Sequence, residues 1–242
     1  MIPLFHDFAG TTVLVFGGGP VGARKARRFA REARVVVVSP AFAATEFGGA
    51  DRVRAAPAPE DVPGWFDRAV PALVVAATDS EAVNDAVTRA ARERGVLCNR
   101  ADSSRADAGR ERTEADGASG PTPPDPHERA GEVVVPATVR DDPVVVAVAT
   151  GARSPALSRH LRERIAADVE GAGAMAELTG ELRTVLRERD LSPDARREAL
   201  RAVVRSERVW KGLGVGSPDA RREATAVIDE VLPIEVEWGD TA

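Results

Sequence analysis

An apolar run, Val13–Phe16, meets a glycine cluster and then a helical stretch from Val21 to about Glu32. This strand–glycine–helix order constrains the fold more than any other feature of the chain. Gly17-Gly18-Gly19-Pro20-Val21-Gly22 satisfies G-x-G-x-x-G. In such a turn the first glycine permits a tight bend and the second lets the backbone approach a pyrophosphate. The third lets the helix pack close to its strand. The helix N-terminus then offers free N–H groups and the positive end of its dipole to phosphates. A glycine-rich turn without a ligand could carry the same residues. The strand before the cluster and the helix after it favour dinucleotide binding.

Further apolar runs at Val35–Val38, Leu73–Ala77 and Val96–Leu97 are separated by helical patterns, one of them over Glu81–Arg94. Continuous apolar strands alternating with helices predict a parallel sheet covered on both faces, a doubly wound α/β domain. Residues 103–131 break the pattern, with no apolar side chain larger than Ala and four prolines, and read as an insertion loop that buries almost nothing. Two β-rich segments follow, Glu132–Arg140 and Pro143–Thr150, parted by Asp141-Asp142 as in a hairpin. An isolated hairpin is marginal in water, so its edges predict completion by a second chain, a homodimer.

Ser154 with Pro155 starts a helix, and Leu157, Leu161, Ile165 and Val169 fall on one stripe of it. Helices are predicted near Ala174–Arg189, Pro193–Arg205 and Pro218–Val231. The octet SPDARREA, at Ser192 and again at Ser217, is good helix-start chemistry and too few copies for a solenoid. The domain organisation expected is 1–102, an insertion over 103–131, a β-rich dimerisation region over 132–170 and a helical region over 171–242.

Several function classes are disfavoured. No apolar run approaches the ~20 residues of a membrane span, and MIPLFHDFAG lacks the features of a signal peptide, so a cytoplasmic protein is expected. One cysteine, Cys98, with His6, His127 and His160 gives no structural zinc set. A formal charge of −5 argues against nucleic acid as a partner. Only Lys25 and Lys211 are lysines, so nearly all of the 33 basic residues are arginine. Arginine forks suit a polycarboxylate ligand, although a compositional bias toward Ala, Arg and Val is the favoured account of them. The acidic residue that usually ends the second strand is missing, because Val38 runs into Ser39-Pro40. A ribose contact there must come from Ser39, from backbone groups or not at all. No basic residue adjoins it in the chain, so NAD is expected over NADP.

Several segments, in order, resemble one family. They are PLFHDFAG (Pro3–Gly10), VLVFGGGPVGARKARRF (Val13–Phe29), VVSP (Val37–Pro40) and AATDSEAVN (Ala76–Asn84). CNRAD (Cys98–Asp102), VVVPATVRDDPVVVAVATGARSP (Val133–Pro155) and ALSRHLRERI (Ala156–Ile165) continue the series. Together they are similar to the precorrin-2 dehydrogenase and ferrochelatase module of siroheme synthase, most clearly over residues 1 to about 170. The resemblance implies an NAD-binding Rossmann domain, an intertwined dimerisation domain and a small helical domain. It implies oxidation of precorrin-2 to sirohydrochlorin, and it leaves open whether Fe2+ is then inserted.

On the matching residues, the resemblance places Gly17, Gly19, Pro20, Val21 and Gly22 at the cofactor. Ser39, Pro40, Ala41, Phe42 and Thr78 join them. Asp102 matches the aspartate that serves dehydrogenation and metal insertion, whereas the residues alone would favour a loop-capping or salt-bridged aspartate. The resemblance places Thr150 near the tetrapyrrole cleft, and Arg153, beside Ser154 at a helix N-terminus, reads from its position as a clamp for substrate carboxylates. A Rossmann NAD sensor without catalysis is the competing expectation. It would need a DNA-reading or partner-docking element, and the tail offers no basic recognition helix. Another small-substrate dehydrogenase is a third, disfavoured only by resemblance.

Overall fold

The structure, a computed structural model, describes residues 2–101, 131–151, 153–215, 217–232 and 238. Asp102 and the expected insertion loop, apart from Gly131, lie outside the described residues. The chain divides into two compact units, Met1–Val135 and Pro136–Ala242.

Five parallel strands form the first unit: β1 (Thr12–Phe16), β2 (Arg34–Ser39), β3 (Asp51–Arg54), β4 (Leu73–Ala76) and β5 (Leu97–Arg100). Their order is β3-β2-β1-β4-β5. On one face Leu14, Phe16, Val74 and Ala76 pack on Val62 and Phe66 of α2 (Val62–Ala69) and on Val83, Val87 and Ala90 of α3 (Glu81–Glu93). On the other, Val13, Val15, Val35, Val37 and Val75 pack on Ala23, Ala26 and Phe29 of α1 (Pro20–Phe29). Burial on both faces is why β1 and β4 are uninterrupted apolar runs. The strand order reverses at β1, with β2 and β3 built outward on one side before the chain crosses back to place β4 and β5 on the other, and the crevice for a ligand in such sheets lies at the carboxyl ends of the strands at that point.

Two elements here are absent from the sequence-based expectation. β3 is DRVR, an edge strand with three exposed residues, and α2 is a short VPGWFDRA segment. Beyond residue 130 the chain returns to the free edge of β5. Cys98 donates its N–H to the Gly131 carbonyl at 2.8 Å, and Val133 donates to the Cys98 carbonyl at 2.8 Å. Asn99 Nδ2 donates to the Val133 carbonyl at 2.8 Å, and Val133 and Val135 pack against the α1-side core. The expected hairpin strand over Glu132–Arg140 is therefore shorter than its β-rich sequence. Its first residues complete the edge of the parallel sheet instead.

The second unit opens with the antiparallel pair β6 (Ala137–Asp141) and β7 (Val144–Val148). Among the described residues five helices follow: α4 (Pro155–Asp168), α5 (Ala172–Arg187), α6 (Pro193–Arg205), α7 (Glu207–Val215) and α8 (Ser217–Val231). Ser154 Oγ accepts from the Leu157 N–H at 3.2 Å and Ser192 Oγ from the Ala195 N–H at 3.1 Å, so both act as N-caps. Asp141 Oδ2 accepts from the Gly173 N–H at 3.0 Å, tying the hairpin to the start of α5. Met175, Leu178, Leu182 and Leu186 of α5 meet Val203 of α6, Val209 of α7 and Ile228 of α8 in one core. The stripe on α4 behaves differently from expectation. It buries nothing fully, and Leu157 is 47% exposed.

Candidate functional site

The turn between β1 and α1 uses each glycine differently. Gly17 has φ +114°, in the region that favours glycine, and a Cβ there would come within 2.6 Å of the Ala77 carbonyl carbon. A Cβ on Gly18 would come within 2.8 Å of the Phe42 ring and 2.9 Å of Ser39 Cβ. On Gly22 it would overlap the Gly17 carbonyl oxygen and approach the carbonyl carbon at 2.9 Å. Only Gly19 is different. Its backbone is ordinary (φ −74°, ψ −178°), and a Cβ there would meet nothing within 4 Å.

Gly19 is also the N-cap of α1, and no side chain caps that end. Pro20 occupies the first turn, where its missing N–H costs nothing, and the first turn holds no acidic residue. Helix N–H groups thus point past an uncovered glycine with the positive end of the dipole behind them. These residues fit a dinucleotide pyrophosphate.

The packing of the turn gathers the other expected cofactor residues. Gly17 donates to the Val38 carbonyl at 3.0 Å, and Ala43 donates to the Gly18 carbonyl at 2.8 Å, which folds Ser39–Phe42 beside the glycines. Ser39 is buried, and Ala41 and Phe42 stand against Gly18. Thr78 follows β4 next to Gly17, whose Cβ would lie 3.1 Å from the Thr78 nitrogen. Gly17–Gly22, Ser39–Phe42 and Thr78 are therefore packed together at the carboxyl end of the sheet.

Two residues absent from the sequence-based site belong beside it. Asn84, buried on α3, holds Thr78 from both sides. Thr78 Oγ1 donates to Asn84 Oδ1 at 2.8 Å, and Asn84 Nδ2 donates to the Thr78 carbonyl at 2.9 Å. Its place just after the Ser80 N-cap was the available signal, because a polar residue there must find a partner or be exposed. The other is Arg54, paired with Ser39 across β2 and β3, whose Nη1 donates to the Pro40 carbonyl at 3.3 Å. A basic group does therefore stand beside Ser39, although none adjoins it in sequence.

On α1, burial lowers the Lys25 pKa from 10.5 to about 8, with Arg28 and Arg24 adding like charge. Burial likewise pushes the Cys98 thiol up, against a hydrogen bond to Thr88 that pulls it down.

Asp102 lies outside the described residues. Ala101 before it donates to the Ala76 carbonyl at 2.9 Å, so the chain reaches that point beside the end of β4. The remaining three expected residues sit in the second unit. The Thr150 hydroxyl donates to the Ser154 carbonyl at 3.1 Å and shares a 2.9 Å hydrogen bond with Ser158 Oγ. Ser154 caps α4, and Arg153 before it is exposed. Among the described residues no cluster of His, Cys, Asp and Glu could hold a metal ion, and no helix is long and apolar enough to cross a membrane.

Comparisons with known proteins agree with this geometry. A family described as “Putative NAD(P)-binding” matches residues 4–108. A precorrin-2 dehydrogenase of Methanosarcina barkeri is 29% identical over 96% of this chain and 95% of its own length. A siroheme synthase of Stutzerimonas stutzeri is 29% identical over 96% of this chain, which spans only 45% of that protein. One from Pseudomonas paraeruginosa is 32% identical over 80% of this chain and 36% of its own length. The solved structure of SirC, a precorrin-2 dehydrogenase, has the same fold, with a TM-score of 0.60 at 21% identity, covering 95% of this chain and all of that one. With its glycine turn, its two sheets and a sequence match over nearly its whole length, the chain is similar to precorrin-2 dehydrogenases and to the corresponding part of siroheme synthases.

Proposed function

We propose that this protein is an oxidoreductase of siroheme biosynthesis that oxidises precorrin-2 to sirohydrochlorin with NAD+. One observation carries the reading: the α1 N-terminus opens past Gly19 with no side chain over it, in a chain that matches a precorrin-2 dehydrogenase over nearly its whole length. When bound, NAD+ would supply the acceptor for the hydride that the macrocycle loses together with a proton as its new double bond forms. The glycine turn and Ser39–Phe42 hold the dinucleotide, and Thr78, fixed by Asn84, borders it.

Asp102 is the proposed proton acceptor, a carboxylate just past the end of β5. Arg153, with Thr150 and Ser154 at the start of α4, is proposed to hold substrate carboxylates. The working form is proposed to be a homodimer. Insertion of Fe2+ as a substrate would call on the same base, since the pyrrole protons must be removed before the metal enters.

The test is to incubate the protein with precorrin-2 and NAD+ and follow the absorption change to sirohydrochlorin, with and without Fe2+. Stoichiometric NADH formation is the expected result. Tight NAD+ binding without turnover would instead mark a sensor, and the catalytic assignment would fall.

A further inference from the structure

We infer that Arg54 makes the adenosine end of this site a 2′-phosphate receptor, so that the protein takes NADP+ as well as NAD+. The inference rests on the dinucleotide reading above and adds to it the choice between the two cofactors.

Its basis is the register of an edge strand. In a Rossmann unit the end of the second strand meets the adenosine ribose. A carboxylate there selects the free 2′-hydroxyl, and a nearby arginine accommodates the 2′-phosphate. Here that position is Ser39, which carries no charge to repel a phosphate. The parallel pairing of β2 with β3 sets Val37 opposite Arg52 and Ser39 opposite Arg54. Directly paired residues share a face, and side chains alternate along each strand. Val37 belongs to the α1-side core, so Ser39, Arg52 and Arg54 all project on the side of the sheet that carries the glycine turn.

The arginines are also held there. Arg54 Nη1 donates to the Pro40 carbonyl at 3.3 Å, and its guanidinium lies 6.0 Å from the centre of the Phe42 ring. Arg52 lies 5.7 Å from the centres of both the Phe42 and Phe47 rings. Phe42 and Phe47 themselves meet edge-to-face at 5.7 Å. Phe42 in turn stands against Gly18, which links this cationic, aromatic wall directly to the pyrophosphate turn. One carbonyl contact leaves most of the Arg54 fork available, and Arg54 is exposed. A planar fork with a fixed position is the group suited to a phosphate monoester.

The experiment is calorimetric binding of NAD+ and NADP+ to the full chain without tetrapyrrole, for the wild type, Arg54→Ala, Arg54→Lys and Arg34→Ala. Arg34 lies at the opposite end of β2, so its variant removes the same charge away from Ser39, together with an exposed ion pair to Asp51. The wild type is expected to bind NADP+ within about tenfold of NAD+. Arg54→Ala should raise the ratio of the NADP+ to the NAD+ dissociation constant by about 10- to 100-fold, the value of a charge-assisted contact. Arg54→Lys should restore part of it, and Arg34→Ala should leave the ratio near that of the wild type. If NAD+ binds and NADP+ is more than about a hundredfold weaker, the inference fails while the dinucleotide reading stands. It fails equally if the ratio is the same in Arg54→Ala and wild type. If neither dinucleotide binds, both fall.

Discussion

The carbonyl oxygen of Gly17 occupies the space that a β-carbon on Gly22 would need, and the carbonyl carbon behind it lies only 2.9 Å from that point. The two glycines that close the β1–α1 turn are thus locked to each other, whereas Gly19 between them faces open space. This separates folding from binding. Gly22→Ala should lower stability by about 1–3 kcal/mol, because backbone atoms must shift to admit the methyl group. Gly19→Ala should cost less than about 1 kcal/mol as an N-cap change, yet weaken NAD+ binding by at least about tenfold. Thermal unfolding and calorimetry on the two variants check the contrast. A Gly19→Ala protein that binds NAD+ normally would remove the pyrophosphate from this turn.

The Thr78–Asn84 pair makes a second prediction. Asn84→Ala removes the side chain that holds the Thr78 hydroxyl and carbonyl at 2.8 and 2.9 Å, and leaves the β4–α3 loop with the contacts between the Thr78 hydroxyl and Ser80. Lost hydrogen bonds to a buried amide cost about 1–3 kcal/mol. Apparent KM for NAD+ should rise with the loss of stability, because Thr78 borders Gly17. Unchanged KM in a destabilised Asn84→Ala protein would assign the pair to folding alone.

What the sequence made legible follows physical signal strength. β1, β2 and β4 lie in apolar runs, β5 begins in one and continues through Asn99 and Arg100, and the glycine spacing marks the turn. β3 was illegible because an edge strand buries little and needs no apolar run, so DRVR reads as loop. Missing β3 concealed Arg54, which reaches Ser39 only through strand pairing. Asn84 lay inside a recognised segment, but its partner is a turn six residues earlier, which no periodicity reports. On α4 the sequence marks Leu157, Leu161, Ile165 and Val169 as one stripe without naming a partner for it, since amphipathicity shows that a face wants covering and not by what.

Lys25 should make stability depend on pH in a definite direction. Its pKa of about 8 in the fold lies below the ordinary 10.5, so between these values the unfolded chain binds the extra proton. Stability from this group therefore rises as pH rises through that window, and below about 8 the buried charge is a constant penalty. The shift corresponds to at most about 3 kcal/mol, and to about 1 kcal/mol once partial solvent access is allowed for. Lys25→Met should be the more stable protein at pH 7, and the gap should close toward pH 10.5. Denaturant midpoints of both proteins across that range are the check. A gap that widens with pH would contradict the assignment.

The exposed stripe of α4 and the two-stranded β6–β7 sheet lead to the oligomer prediction. Leu157 is 47% exposed, Leu161 and Ile165 are only partly covered, and a hairpin alone is marginal. Light scattering at micromolar concentration should give twice the mass of one chain. Leu157→Glu combined with Leu161→Glu should shift it toward one, with the helical core of Leu182 and Ile228 intact by circular dichroism. A wild-type monomer would leave these surfaces unexplained and the dimer proposal without support.

The final prediction concerns Asp102, on which the proposed chemistry turns. Asp102→Asn keeps size and shape while removing the charge and the basic oxygen. The dinucleotide turn is built by Gly17–Gly22 on a different strand, so NAD+ affinity should change by less than about twofold if the two roles are separate. Turnover of precorrin-2 should fall by about 10²–10⁴, the share of a positioned acid–base group, equivalent to roughly 3–5 kcal/mol of transition-state stabilisation. If the protein also inserts Fe2+, that rate should fall in the same variant, since stripping pyrrole protons calls on the same carboxylate. Stopped-flow absorbance with precorrin-2 and NAD+, alongside calorimetric NAD+ binding, separates the two effects. An Asp102→Asn protein that oxidises precorrin-2 at the wild-type rate would return Asp102 to the structural role that its sequence surroundings alone favour, and the proton would have to leave by another group or to solvent.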